Sequence, residues 1–237
     1  EAPPLARIEH VEVESARGGG GAHGRFVIEP SRDPVGLRQP VPADTAPCAA
    51  CEAELFDPRN RRFRYPFITC TDCGPRFTVI EAMPYDRERT SMRAFTHCAA
   101  CDREYRTPSD RRYHSESNSC AACGPRLWFR AAGNHGAAVH GPGAALATAA
   151  ALLHAGGILA LRSGGGFHLA VDATSDAAVA RLRRRKHRDA KPFAVMVRTV
   201  AAVAEIAELS DDAAALLRSP VRPVVVLPAR AGSRLSR

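Results

Sequence analysis

The sequence predicts a multidomain chain of the α/β (α+β) class, with a small doubled cysteine-rich module in the first half and an alternating helix–strand region in the second. Three observations predict it. All eight cysteines fall between Cys48 and Cys123, in four CxxC pairs. The second two pairs repeat the first two at an offset of 50 residues. After Gly143 the apolar pattern alternates between helical and extended spacing, punctuated by Gly and Pro. The 237 residues suffice for one or two domains. Only 6% of them are aromatic, so any core rests mainly on Ala, Val and Leu.

Taken in chain order, Glu1 to Glu14 has no long apolar core, so it does not read as an export signal. Residues 32–47 read as a linker. Residues 48–127 form the cysteine module. Its pairs are Cys48/Cys51, Cys70/Cys73, Cys98/Cys101 and Cys120/Cys123, with eighteen residues between the pairs of each repeat. Other residues repeat in step: Arg61-Arg62-Phe63 with Arg111-Arg112-Tyr113, and Cys73-Gly74-Pro75-Arg76 with Cys123-Gly124-Pro125-Arg126. Two CxxC turns at this spacing supply four soft thiolates to one tetrahedral ion, and a closed four-sulfur shell leaves no position open for catalysis. The reading is two structural zinc ions, each contributing roughly 10 kcal/mol or more to folding. Pairing within or across the repeats stays open on spacing alone. A disulfide framework would need an exported chain. Redox CxxC motifs do not usually occur as four pairs in register. His97 and His114 read as surface histidines.

Residues 128–143 read as a second linker, rich in Gly, Ala and His. Ala144 to His154 is a good helix former that stops at Gly156-Gly157. With Ile158 to Leu161 it forms the longest apolar stretch, and the interruptions rule out a membrane span. Ile158 to Leu161 reads as a strand, 162–166 as a glycine-rich turn and Phe167 to Val171 as a second extended run. Ser175 is a natural N-cap, followed by Asp176 and by Val179 and Leu182 on one face, in a helix running to Arg188 and ended by Pro192. Phe193 to Val197 reads as a strand. Thr199 to Leu209 and Ser210 to Leu217 read as helices, and Val224 to Leu227 as a last strand.

The formal net charge is +8, almost all of it arginine, which suggests an anionic partner. The only lysines, Lys186 and Lys191, lie five residues apart around Arg188. A compact ammonium suits phosphate, so this cluster is the candidate nucleotide site, set against the plainer reading of a solvated helix end.

Several runs resemble the HypF family of [NiFe]-hydrogenase maturation carbamoyltransferases. In the cysteine module they are Asp57-Pro58 to Phe67, Cys70 to Phe77 and Met83 to Arg87. In the second half Gly165 to Ala170, Asp172-Ala173-Thr174, Arg183 to Pro192, Ser219-Pro220 and Arg222-Pro223 are similar to the YrdC-like domain of that family. Residues 1–31, with Pro3 to Ile8 and Phe26 to Pro30, resemble the end of its ferredoxin-like acylphosphatase domain. The resemblance implies an internal fragment: an acylphosphatase remnant, the zinc module (48–127) and a truncated YrdC-like domain (144–237). It implies a chemistry in three stages. Carbamoyl phosphate is hydrolysed to carbamate, carbamate and ATP (with Mg2+) give carbamoyl-adenylate, and the carbamoyl group passes to the C-terminal cysteine of a partner maturation protein. It further implies a cytoplasmic protein, substrate contacts from Lys186, Arg188, Lys191, Arg162, Ser219 and Arg222, and no activity from the fragment alone. Arg162 stands where the family commonly has lysine, which keeps the charge and changes the geometry. Three other readings compete. Arg59, Arg61, Arg62, Arg64, Arg111 and Arg112 would form the patch of a nucleic-acid-binding zinc protein. The YrdC fold elsewhere makes threonylcarbamoyl-adenylate for tRNA. A structural zinc docking module is the third.

Overall fold

The structure is a computed structural model, and it describes residues 10–13, 40–133 and 137–236. The expected acylphosphatase remnant lies outside the described residues, apart from 10–13.

The cysteine module is two copies of one small unit. Each begins with a helix, α1 (Ala49–Phe56) and α2 (Ala99–Arg106). The first cysteine of each repeat occupies the N-cap with the same backbone, φ −71° and ψ 164° at Cys48 and φ −71° and ψ 163° at Cys98. Each helix ends one turn before a loop that closes through a left-handed residue, Arg64 in the first copy and His114 in the second. The first copy holds an apolar cluster, in which Tyr65 and Ile68 pack among Cys51, Cys70 and Cys73 with Leu55 alongside. Both CGPR glycines are needed for space. A Cβ on Gly74, where φ is +99°, would stand 2.1 Å from Thr69 Oγ1, and one on Gly124 would stand 2.2 Å from Tyr65 Oη. Asp44 and Thr45, in the segment expected as linker, bond to the module, while the Ala46 N–H goes to the Pro220 carbonyl. Thr45 pairs with Gly74, and Asp44 accepts from the backbone of Arg76 and Thr78.

Residues 128–143 are not a plain linker either. Trp128–Phe129 (β1) pairs antiparallel with Val139–His140 (β2), leading into α3 (Pro142–His154). Next come β3 (Leu159–Ser163) and β4 (Gly166–Ala170), an antiparallel hairpin across Gly164-Gly165. The expected N-cap holds: Ser175 accepts from the Ala178 N–H and starts α4 (Asp176–Lys186), which buries Val179 and Leu182. Helix α4 stops earlier than expected, because His187 takes the left-handed conformation at its C-cap.

The remainder departs from the sequence reading for an identifiable reason. Phe193 to Val197 and Val224 to Leu227 are apolar, but no strand among the described residues pairs with them, so they form no ladder. Met196 and Val226 are each 94% exposed. The helix expected from Thr199 to Leu209 shortens to α5 (Val200–Val203). Beyond it, Ala207 bridges to Ala229 and the Glu208 N–H goes to the Pro228 carbonyl, which draws the chain out of the helix. Helix α6 (Asp211–Arg218) forms as expected, capped by Ser210. No helix of the described residues is long and apolar enough to cross a membrane.

Candidate metal centres

The cysteines close into two groups, each within one repeat: Cys48, Cys51, Cys70 and Cys73, and Cys98, Cys101, Cys120 and Cys123. This settles the pairing that spacing left open. All eight are free thiols, so no disulfide framework exists. The Sγ atoms lie 3.7 Å apart for Cys48–Cys70 and Cys70–Cys73, and 3.5 Å for Cys51–Cys73. In the second group the separations are 3.8, 3.7 and 3.5 Å for Cys98–Cys120, Cys120–Cys123 and Cys101–Cys123. A tetrahedron with zinc–sulfur bonds of about 2.3 Å has edges of about 3.8 Å, so both groups have the dimensions of a zinc site.

The electrostatics fit the same ion. In the first group neighbouring thiols, with burial, push Cys51, Cys70 and Cys73 up to about 11. Cys98, by contrast, is drawn down to about 6, chiefly by a hydrogen bond from the Cys101 backbone N–H. A divalent cation is what turns four such crowded thiols into thiolates. His97 and His114 belong to neither group, and both are half-buried, not surface residues as expected. His97 Nε2 hydrogen-bonds the Asn118 carbonyl, and His114 packs against Tyr105 and Tyr113.

Each metal group is bounded by side chains from the other repeat. Arg61 donates to Cys101 Sγ at 3.3 and 3.4 Å and to Glu104. Arg62, 1% exposed, bonds both Glu104 oxygens at 2.9 and 2.6 Å and also Asn118 and the Ser119 carbonyl. The reverse set is Arg111 to Cys51 Sγ and Glu54, and Arg112 to both Glu54 oxygens and the Thr69 carbonyl. Burial raises the Glu104 carboxyl, but hydrogen bonds from Arg62 and Arg61 outweigh it and hold the group at about 2. The arginine repeat was legible in the sequence; the glutamates at the matching positions were the missed signal. Between the copies lies a polar cleft of about 640 Å³, lined by these clamps and by Arg59 and Ser109.

These contacts engage four of the six arginines read as a nucleic-acid patch. Arg59 pairs with Asp57, and Arg64 lies over the Phe63 ring.

The nucleotide candidates fall on three elements, the end of α4 with the loop after it, the β3–β4 hairpin and the end of α6. Lys186 and Lys191 are exposed. Arg188 bonds the carbonyls of Lys191 and Pro192, and Arg183 those of Arg188, Asp189 and Lys191, and the two guanidiniums lie 5.2 and 4.9 Å from the Phe193 ring centroid. Arg188 therefore shapes the loop in this conformation. Arg162 lies over Phe167 on the β3–β4 hairpin. Ser219 and Arg222 bond carbonyls at the end of α6, Leu216 and Leu217. No hydrogen bond or ion pair among the described residues joins these three places.

Comparison with known proteins adds the following. The family described as the HypF finger matches residues 48–80 and 97–130. The Sua5/YciO/YrdC family, described as telomere recombination, matches residues 151–237. A carbamoyltransferase HypF2 of Cupriavidus necator is 50% identical over 232 residues, 98% of this chain and 28% of the relative. A carbamoyltransferase HypF of Rhizobium leguminosarum bv. viciae is 51% identical over 234 residues, again 98% and 28%. A crystal structure of full-length HypF in a phosphate- and nucleotide-bound form is 44% identical and superposes with a TM-score of 0.76, covering 85% of this chain and 26% of that one. The chain thus spans a little over a quarter of the length of the relatives it matches.

Proposed function

We propose, from the premise that this chain belongs to the HypF family, that it works as part of a carbamoyltransferase of [NiFe]-hydrogenase maturation. The observation that carries the reading is the pair of closed four-thiol groups, locked to each other and followed by a YrdC-like region. A saturated zinc shell has no place for substrate, so the module is a scaffold and the chemistry belongs to neighbouring regions.

In this reading the YrdC-like region serves the adenylation step. A carbamate oxygen attacks the α-phosphorus of ATP, the bond to the bridging oxygen breaks, and pyrophosphate leaves. Lys186 and Lys191 have exposed ammonium groups to offset the charge, while Arg183 and Arg188 hold the loop between them. The C-terminal end of α4 repels phosphate by its dipole, and the four cations of its last turn offset that field. Residues 1–31 would complete an acylphosphatase domain that supplies carbamate. The acceptor is the C-terminal cysteine of a partner protein, in the cytoplasm, where thiols stay reduced.

The test is a chimera in which this chain replaces the matching 232 residues of the Cupriavidus necator relative. Pyrophosphate exchange into ATP should require carbamoyl phosphate and be lost in Lys186→Ala. Exchange that requires threonine and bicarbonate would move the protein to tRNA modification. No exchange from a zinc-loaded chimera would contradict the proposal.

A further inference from the structure

We propose that the two four-cysteine sites are coupled in trans: each is completed by the arginine pair of the other repeat, so that zinc at one site raises the affinity of the other. This rests on zinc occupying both thiol groups, and it concerns the residues around them.

Four thiolates around a divalent zinc carry a net charge of −2, and Glu104 beside the second site makes it −3. The guanidiniums hydrogen-bonded to Cys101 and Glu104 belong to the first repeat, while Arg112 of the second lies 4.0 Å from Glu104. Arg61 and Arg62 reach across from the first, with Arg61 3.3 and 3.4 Å from Cys101 Sγ and Arg62 3.7 Å from it. The first site receives the mirror arrangement, with Arg111 at 3.3 Å from Cys51 Sγ through both terminal nitrogens and Arg112 at 4.0 Å. Donors to a ligating sulfur lower its charge and fix its direction, and such outer partners typically govern metal affinity by about 10- to 100-fold.

The arginines stand ready only when their own repeat is folded. Arg62 is set by its N–H bond to Asn60 Oδ1 and by the turn from its carbonyl to Tyr65 N–H. Tyr65 packs in the cluster built on Cys51, Cys70 and Cys73. The Arg64 N–H returns to the Leu55 carbonyl at the end of α1. The loop that serves the second site is thus part of the structure nucleated by metal at the first. The second repeat does the same in reverse, since Arg112 N–H bonds Asp110 Oδ1 and His114 N–H bonds the Tyr105 carbonyl. Metal binding is folding free energy for units of this size, so ordering one loop passes to the other site. The coupling must be reciprocal, by linkage.

The experiment uses the full zinc-loaded chain under a graded chelator challenge. Site occupancy is read by thiol alkylation and peptide mass spectrometry, and folding by circular dichroism. The wild type should unload both sites over one range of free zinc. Arg61→Gln should unload Cys98 and Cys120 first, at a free zinc concentration about 10- to 100-fold higher than in the wild type. Arg111→Gln should unload Cys48 and Cys70 first. Arg61→Lys keeps the charge without the fork and serves as the milder change should Arg61→Gln fail to fold; it should shift the second site in the same direction by less. The proposal is overturned if each variant weakens the site in its own repeat, or if neither moves either site. A chain that takes up no zinc at all would instead defeat the metal reading itself.

Discussion

Glu104→Gln should cost the zinc-loaded chain roughly 3 kcal/mol of stability. The wild-type carboxylate faces Arg62 at 2.6 Å, with side-chain exposures of 18% and 2%. The substitution keeps the shape and removes the charge, leaving a buried guanidinium without its carboxylate. Breaking one partner of a buried pair costs about 3–5 kcal/mol. The depression of the carboxyl from 4.5 to about 2 gives roughly the same figure. A carboxyl whose pKa falls on folding contributes its stability fully above its unfolded value and loses it as pH drops through the folded one. The gap between wild type and variant should therefore be constant from pH 8 to pH 5 and close only below 4.5, toward pH 2. The assay is urea denaturation followed by circular dichroism in excess zinc, and the midpoint should fall by about 1–3 M. Glu81→Gln is the control. Its partner Arg93 is 55% exposed and Glu81 44%, and a surface pair contributes about 1 kcal/mol or less. A Glu104→Gln effect no larger than the control, or a gap that shrinks between pH 8 and pH 5, would refute the reasoning.

Three more outcomes are expected. Gly124→Ala must displace Tyr65 or Ser119, whose side-chain atoms would lie 2.2 to 2.6 Å from the new Cβ, and should lower stability by about 1–3 kcal/mol in the same denaturation assay. Ser210→Ala removes the cap bonded to the Ala213 N–H and should cost about 1 kcal/mol, seen as a lower thermal midpoint. Arg183→Ala frees the carbonyls of Arg188 and Asp189, leaves that of Lys191 to Arg188 alone, and should speed amide exchange in that segment while leaving the zinc content unchanged.

Much of the cysteine module was legible because its determinants are local. A CxxC turn, its spacing and its repeat can be read from one strip of chain, and the structure adds the choice of partner. The clamps between the repeats rest on contacts 40 or more residues apart, such as Arg62 with Glu104, which no local pattern encodes. Helix caps in the second half were legible for the same reason: Ser175 and Ser210 each bond an N–H three residues on. Among the strands, the β3–β4 hairpin was legible, because Ile158 to Leu161 and Phe167 to Val171 flank a glycine-rich turn, but the two later ones were not. Phe193 to Val197 and Val224 to Leu227 have the apolar character of buried strands, but a strand exists only when another backbone pairs with it, and that is a property of the neighbour. Composition singled out Lys186 and Lys191, whereas the use of Arg188 as a loop clamp depends on carbonyl positions that only folding supplies.

The most direct test of the whole account is the metal content and coordination of the purified chain, by elemental analysis with zinc-edge X-ray absorption. Two zinc ions per chain, each in a shell of four sulfurs at about 2.3 Å, is the predicted result. A single zinc, a shell containing nitrogen or oxygen, or cysteines recovered as disulfides would contradict it.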